Sequence, residues 1–189
     1  MKQDTITIVS GLPRSGTSLM MQMLVAGGLP ALTDGTRQPD ENNPKGYFEL
    51  EAVKHTREDA SWLNETNGKC VKVVSILLYD LPRDRRYNII FMTRNMEEIL
   101  ASQAAMLRVR NVHDTSKDED MRRCFEAHLL KLERRLAEQE NVTVFYCDYN
   151  ELIRMPEHQA IKIRDFLDIN LNTQAMMAVV DPKLHRQKK

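Results

Sequence analysis

Residues 5–23 read TITIVSGLPRSGTSLMMQM. The run Ile6 to Ser10 has the β-branched composition of a strand, and Gly11 to Gly16 that of a tight loop. A helical pattern starts at Thr17, with Leu19, Met20, Met23 and Leu24 on its apolar side. Strand, glycine-bounded loop and helix N-terminus in that order point backbone N–H groups at an anion. The register is GxxxxG, but a nucleoside-triphosphate P-loop continues with Lys and then Ser or Thr, whereas this chain continues with Thr17 and Ser18. The cation has moved into the loop as Arg14. The pattern predicts a phosphate site at Gly11, Arg14, Ser15, Gly16, Thr17 and Ser18 that lacks the lysine on which magnesium-dependent triphosphate chemistry relies.

Working outward, the apolar runs Val71 to Leu78, Asn88 to Thr93 and Val142 to Cys147 read as further strands, each separated by enough chain for a helix. This alternation predicts an α/β fold, a three-layer α/β/α arrangement with a mostly parallel sheet. The first helix is expected to stop at Gly27 and Gly28, and weaker helical character covers Glu51 to Thr66. A helix is predicted over Glu97 to Val109 and a long one over Asp118 to Glu140. The latter places Met121, Cys124, Phe125, His128, Leu129, Leu132 and Leu136 on one stripe. Pro156 suits a first helical turn, followed by Ile161, Ile163, Phe166 and Leu167, and Leu171 to Val180 reads as a short last helix. With no linker or repeat in view, residues 1–189 are expected to form a single domain.

Lys plus Arg and Asp plus Glu number 27 each, so the formal net charge is zero. That balance argues against a nucleic-acid or anionic-membrane partner and requires any anion site to be local. Cys70, Cys124 and Cys147 have neither the spacing of a zinc site nor the number of a disulfide framework. The expectation is no metal and a reducing, cytoplasmic setting. The polar start MKQDT and the lack of an apolar run near the ~18 residues of a membrane span predict a soluble, untargeted chain.

A second constellation is IIFMTRNMEEILASQ, residues 89–103, where a strand ends at Arg94 and a helix begins near Asn95. Ligands of open parallel sheets sit beyond the carboxyl ends of the strands, which places Arg94 in the crevice of the Gly11 to Gly16 loop. Ser102 falls on the helix face of Asn95, two turns on. Arg94 and Ser102 are thus candidates for a second phosphate. The competing reading pairs Arg94 with Glu97 or Glu98 and makes Ser102 a packing residue. Asp80 and Asp148 lie at strand ends as a magnesium-binding aspartate would, but also where turn and cap residues lie. Trp62, Tyr47 and Phe48 are candidates for stacking on a base or for packing.

GLPRSGTS, TRNMEEILAS and VTVFYCDYNEL, in this order, resemble the sulfotransferases that use 3′-phosphoadenosine-5′-phosphosulfate (PAPS). The resemblance spans roughly Ile6 to Leu167 and implies a fold like that of P-loop nucleoside-triphosphate hydrolases. It implies that the loop holds the 5′-phosphosulfate, with Arg14 as its basic residue, and that Arg94 and Ser102 hold the 3′-phosphate. It implies transfer of a sulfuryl group from PAPS to a hydroxyl or amine of a small-molecule or glycan acceptor, without a metal. The histidine and lysine pair of members acting on aromatic alcohols has no evident counterpart, which argues against phenols and steroids.

An acceptor proton needs a base, and relatives with an acidic base take it from the loop after the first helix. Glu41 and Glu49, in QPDENNPKGYFELE, are the candidates, with His55 a weaker one. Ordinary solvated carboxylates would look the same. The basic C-terminal DPKLHRQKK supplies Arg186 as a candidate for the 3′-phosphate, against a solvated tail. A homo-oligomer would complete an acceptor pocket that 189 residues leave small. Two other functions fit the loop: a small-molecule or nucleoside kinase with a divergent P-loop, and a non-catalytic nucleotide-binding protein of the same fold.

Overall fold

In the computed structural model, which describes residues 5–36, 46–109 and 118–181, the opening stretch folds as read. Strand β1 (Ile6–Gly11) runs into the loop and then α1 (Thr17–Ala26). Two short 3-10 helices, Glu51–His55 and Ser61–Glu65, lead to β2 (Cys70–Lys72). A third, Ser75–Asp80, leads to β3 (Tyr87–Thr93), followed by α2 (Met96–Val109) and α3 (Asp118–Ala137). Strand β4 (Val142–Asp148) passes directly into α4 (Tyr149–Arg154), then α5 (Pro156–Leu167) and α6 (Thr173–Ala178).

The strands form a parallel sheet in the order β2-β1-β3-β4. Alternate side chains feed two cores. Val9, Ile90 and Met92 pack with α1, α4, α5 and α6, while Ile8, Ile89 and Phe91 pack with the 3-10 segments and with Leu132 and Leu136 of α3. This is the three-layer α/β/α arrangement. The chain leaving β1 turns to one face through α1, and the chain leaving β3 reaches the opposite face through α3. A crevice therefore opens at the carboxyl ends of β1 and β3, where ligands of such sheets sit.

Three expectations need correction. The run Val71 to Leu78 is not one strand: pairing with β1 ends at Val9↔Lys72 and a last hydrogen bond from the Val73 N–H to the Val9 carbonyl, although β1 itself runs on beside β3 to Gly11. The chain coils into the 3-10 helix Ser75–Asp80 and leaves Ile76 58% exposed. Glu51 to Thr66 is two 3-10 turns rather than a helix, each holding a buried threonine hydroxyl, Thr56 on the Val53 carbonyl and Thr66 on that of Leu63. Finally, α3 ends at Ala137, and of its apolar stripe Leu132 and Leu136 are buried whereas Cys124 is exposed. The residues of α3 that pack into the core, Leu129, Leu132 and Leu136, all lie in its second half.

His128 lies where that helix reaches the core. Its Nε2 is 2.9 Å from the Ser75 Oγ, its ring packs on Tyr79, and burial lowers its pKa below the ordinary value. The unfolded chain then binds the proton more readily than the fold, so stability falls as pH drops below about 6.5. Urea midpoints between pH 7 and pH 5 should show this slope, reduced in His128→Gln. Leu152, fully buried beneath β4, should cost about 2–5 kcal/mol when truncated to alanine, read from the same denaturation curves.

Candidate active site

The 11–18 loop is held in conformations that favour glycine. Gly11 has φ 148°, Arg14 71° and Gly16 103°. A Cβ on Gly11 would lie 2.4 Å from Ser15 Oγ and 2.7 Å from the Met92 carbonyl oxygen, and one on Gly16 would lie 2.4 Å from Tyr149 Cδ2. The glycines are therefore required by space as well as by dihedral angle. No side chain caps the N-terminus of α1 and no acidic residue occupies its first turn, so the positive end of the helix faces the loop uncompensated. The Ser10 and Ser15 hydroxyls are buried without a hydrogen-bond partner among the described residues. These features fit an anion seated on the loop.

The structure brings Arg14, Arg94 and Ser102 together. Arg14 Nε donates to Ser102 Oγ at 2.9 Å, and Arg94 Nη1 donates to the Arg14 carbonyl at 3.1 Å. The sequence reading kept two candidate phosphate pockets apart; here the loop's own arginine reaches Ser102, a residue of the second candidate. Arg94 Nε donates to Glu98 Oε2 at 2.8 Å, an i, i+4 ion pair whose side chains are 8% and 4% exposed. The competing reading of Arg94 as the partner of Glu98 is thus realised, and the pair sits in the crevice. The guanidinium lies 4.3 Å from the Tyr149 ring centre, and Asn150 Nδ2 donates to Glu98 Oε1 at 3.2 Å. Burial, more than any neighbouring charge, pushes the Tyr149 phenol above its ordinary pKa; Arg94 and Arg14 partly oppose the shift.

Lys72, at the carboxyl end of β2, was missed. Its ammonium donates to the Tyr47 carbonyl at 2.8 Å and to Ser18 Oγ at 3.2 Å, and lies 3.8 Å from Glu49 Oε1, with the side chain 7% exposed. A lysine alone in the apolar run CVKVV was the available signal, but solvent-reaching lysines at sheet edges look the same. Through Lys72, Glu49 stands beside the loop. Glu41 and Arg186 lie outside the described residues. His55 is exposed. Asp148 caps α4 by accepting from the Glu151 N–H, whereas Asp80, at the end of the 3-10 helix Ser75–Asp80 rather than of a strand, pairs with Arg57. Trp62 is buried with its indole N–H on Thr56 Oγ1, and Tyr47 is buried as well.

The family model for sulfotransferase domains matches residues 4–184. The chain belongs to the sulfotransferase family. Solved sulfotransferases share its fold. One from Alicyclobacillus acidocaldarius superposes with a TM-score of 0.50 at 16% identity, covering 95% of this chain and 87% of that one. Mouse sulfotransferase SULT7A1, complexed with PAP, gives 0.51 at 17% identity over 95% of this chain and 63% of its own. The sulfotransferase domain from the curacin biosynthetic pathway gives 0.50 at 13% identity over 100% and 80%. No curated protein matches the chain. Among the described residues no group of His, Cys, Asp or Glu is placed to hold a metal ion, and no helix is long and apolar enough to cross a membrane.

The Gly16 contact of this sulfotransferase loop gives a direct check. Gly16→Ala should lose about 1–3 kcal/mol from its left-handed backbone, and more from the clash with Tyr149. Adding Tyr149→Ala should relieve the clash but not the backbone strain. Chemical denaturation of the single and double variants separates the two terms.

Proposed function

We propose that this sulfotransferase moves a sulfuryl group from PAPS to a hydroxyl or amine of a small-molecule or glycan acceptor, with residues 1–189 acting as one domain. The observation that carries the reading is the Arg14–Ser102–Arg94 cluster. It joins the loop to the β3–α2 junction, through Arg94, and to the middle of α2, through Ser102. A loop alone suits any nucleotide. Two joined cationic elements suit one with phosphates at separate ribose positions better than one with its phosphates in a single row. Ser15 and the uncapped first turn of α1 suit the 5′-phosphosulfate, and Arg94 and Ser102 the 3′-phosphate, with Arg186 a further candidate from the sequence. The PAP held by the mouse neighbour supports a donor of this kind.

When bound, the donor supplies a sulfuryl group carried on a phosphate leaving group. The chain's task is to stabilise the negative charge that grows on that phosphate as the S–O bond lengthens. The loop N–H groups do so as dipoles fixed by the fold, and Arg14 and Lys72 with full charges. In comparable sites a single such donor is worth about 10²–10³ in rate. Glu49, beside Lys72, takes the proton of the attacking acceptor, with Glu41 the alternative from the same loop.

Adenosine 3′,5′-bisphosphate at 100 times its Kd should stabilise the protein by about 2.7 kcal/mol, in EDTA as in magnesium. ATP with magnesium should not. A thermal shift with ATP and magnesium but none with the bisphosphate would indicate a kinase, and bisphosphate binding without transfer to any acceptor a non-catalytic protein. Glu49→Gln should lower kcat by about 10²–10⁴ while leaving bisphosphate affinity unchanged. An unaltered kcat moves the base to Glu41.

A further inference from the structure

We propose that Glu98 is a positioning residue: it aims the Arg94 guanidinium and so sets the preference for a nucleotide with a 3′-phosphate. This rests on the bisphosphate reading above. An arginine head group on a flexible stem has many orientations, and its usefulness to a phosphate depends on presenting planar N–H groups in one direction. Glu98 takes the Nε edge of Arg94 at 2.8 Å. The Arg14 carbonyl takes an Nη1 hydrogen, and the central guanidinium carbon lies over the Tyr149 ring, 4.3 Å from its centre. Together these contacts fix the direction of the group and its height over the ring.

Glu98 is itself held. Its second oxygen accepts from Asn150 Nδ2, and Asn150 and Tyr149 open α4, whose start is pinned by the Asp148 cap. Its neighbour Glu97 provides the contrast. That side chain is 41% exposed and pairs with Arg122 on the surface, as helical carboxylates commonly do. Glu98, at 4% exposure, is withdrawn from water and balances the Arg94 charge while the nucleotide is absent. A carboxylate beside an anion site weakens anion binding through its charge, so its presence at Arg94 is explained by orientation rather than by attraction.

The test is calorimetric titration with adenosine 3′,5′-bisphosphate and with adenosine 5′-phosphate. In the wild type the bisphosphate should bind on the order of 10- to 100-fold tighter, the range of a charge-assisted contact. Glu98→Ala should lose most of that preference, with 5′-phosphate affinity held within about threefold. Arg94→Ala should lose it as well, and the double variant should be no worse than Arg94→Ala alone. Glu98→Gln keeps an acceptor for Nε without the charge and should restore the preference. Should Glu98→Ala not fold, Asn150→Ala carries the test, with a partial loss of preference expected.

A wild type without preference overturns the bisphosphate reading, and this inference with it. A discriminating wild type whose preference survives Glu98→Ala, or survives Asn150→Ala where that variant replaces it, overturns the Glu98 role alone. So does an equal loss of both ligands, or a Glu98→Gln variant as impaired as Glu98→Ala.

Discussion

The guanidinium of Arg94 is the contact on which the site's architecture depends. It leaves the end of β3, lies over Tyr149 from α4, pairs with Glu98 of α2 and donates to the carbonyl of Arg14 in the 11–18 loop. Three parts of the chain far apart in sequence, the loop, the β3–α2 junction and α4, are thereby held to one point at the carboxyl edge of the sheet. Arg14 has a positive φ of 71°, which a side-chain-bearing residue adopts at a cost of about 1–3 kcal/mol unless its surroundings hold it there. The hydrogen bond from Arg94 to its carbonyl is one such restraint, and the hydrogen bond from Arg14 Nε to Ser102 is another. Removing one partner of a buried ion pair typically costs about 3–5 kcal/mol, so the arrangement resists drift.

A chain with no net charge concentrates its cations where the fold needs them. Arg14, Arg94 and Lys72 converge on the loop from three elements, and each is anchored by an oxygen of the protein. Glu98 and Glu49 stand close to two of these cations, which keeps the crevice from being a bare positive pocket. In this respect the site differs from that of a protein attracting long polyanions, whose charge is spread over a face. On the proposed reading it serves one small ligand with two charged ends.

Much of the fold was legible because its signals are local. The β1 run, the GxxxxG loop, the start of α1 and the Pro156 that opens α5 each depend on neighbouring residues alone. So does the alternation that predicts a parallel sheet. The end of β2 was not legible, since the apolar run continues through Leu78 while the chain leaves the sheet and coils into the 3-10 helix Ser75–Asp80. Within the site, Arg14, Ser15 and Gly16 could be read from spacing, and Arg94 and Ser102 from their place after a strand. That Arg14 bonds Ser102 could not, nor that Lys72 reaches Ser18, because both contacts cross between elements. Glu98, Tyr149 and Asn150 belong to the same class: their roles come from packing α4 against α2 and the loop.

On the proposed reading one nucleotide spans the loop and the Arg94 cluster. A crystal structure of the protein with adenosine 3′,5′-bisphosphate tests it most directly. The 5′-phosphate should lie on the N–H groups of residues 15–18 with Lys72 alongside, and the 3′-phosphate against Arg94 and Ser102. A nucleotide bound with Arg94 and Ser102 out of reach of either phosphate would contradict it.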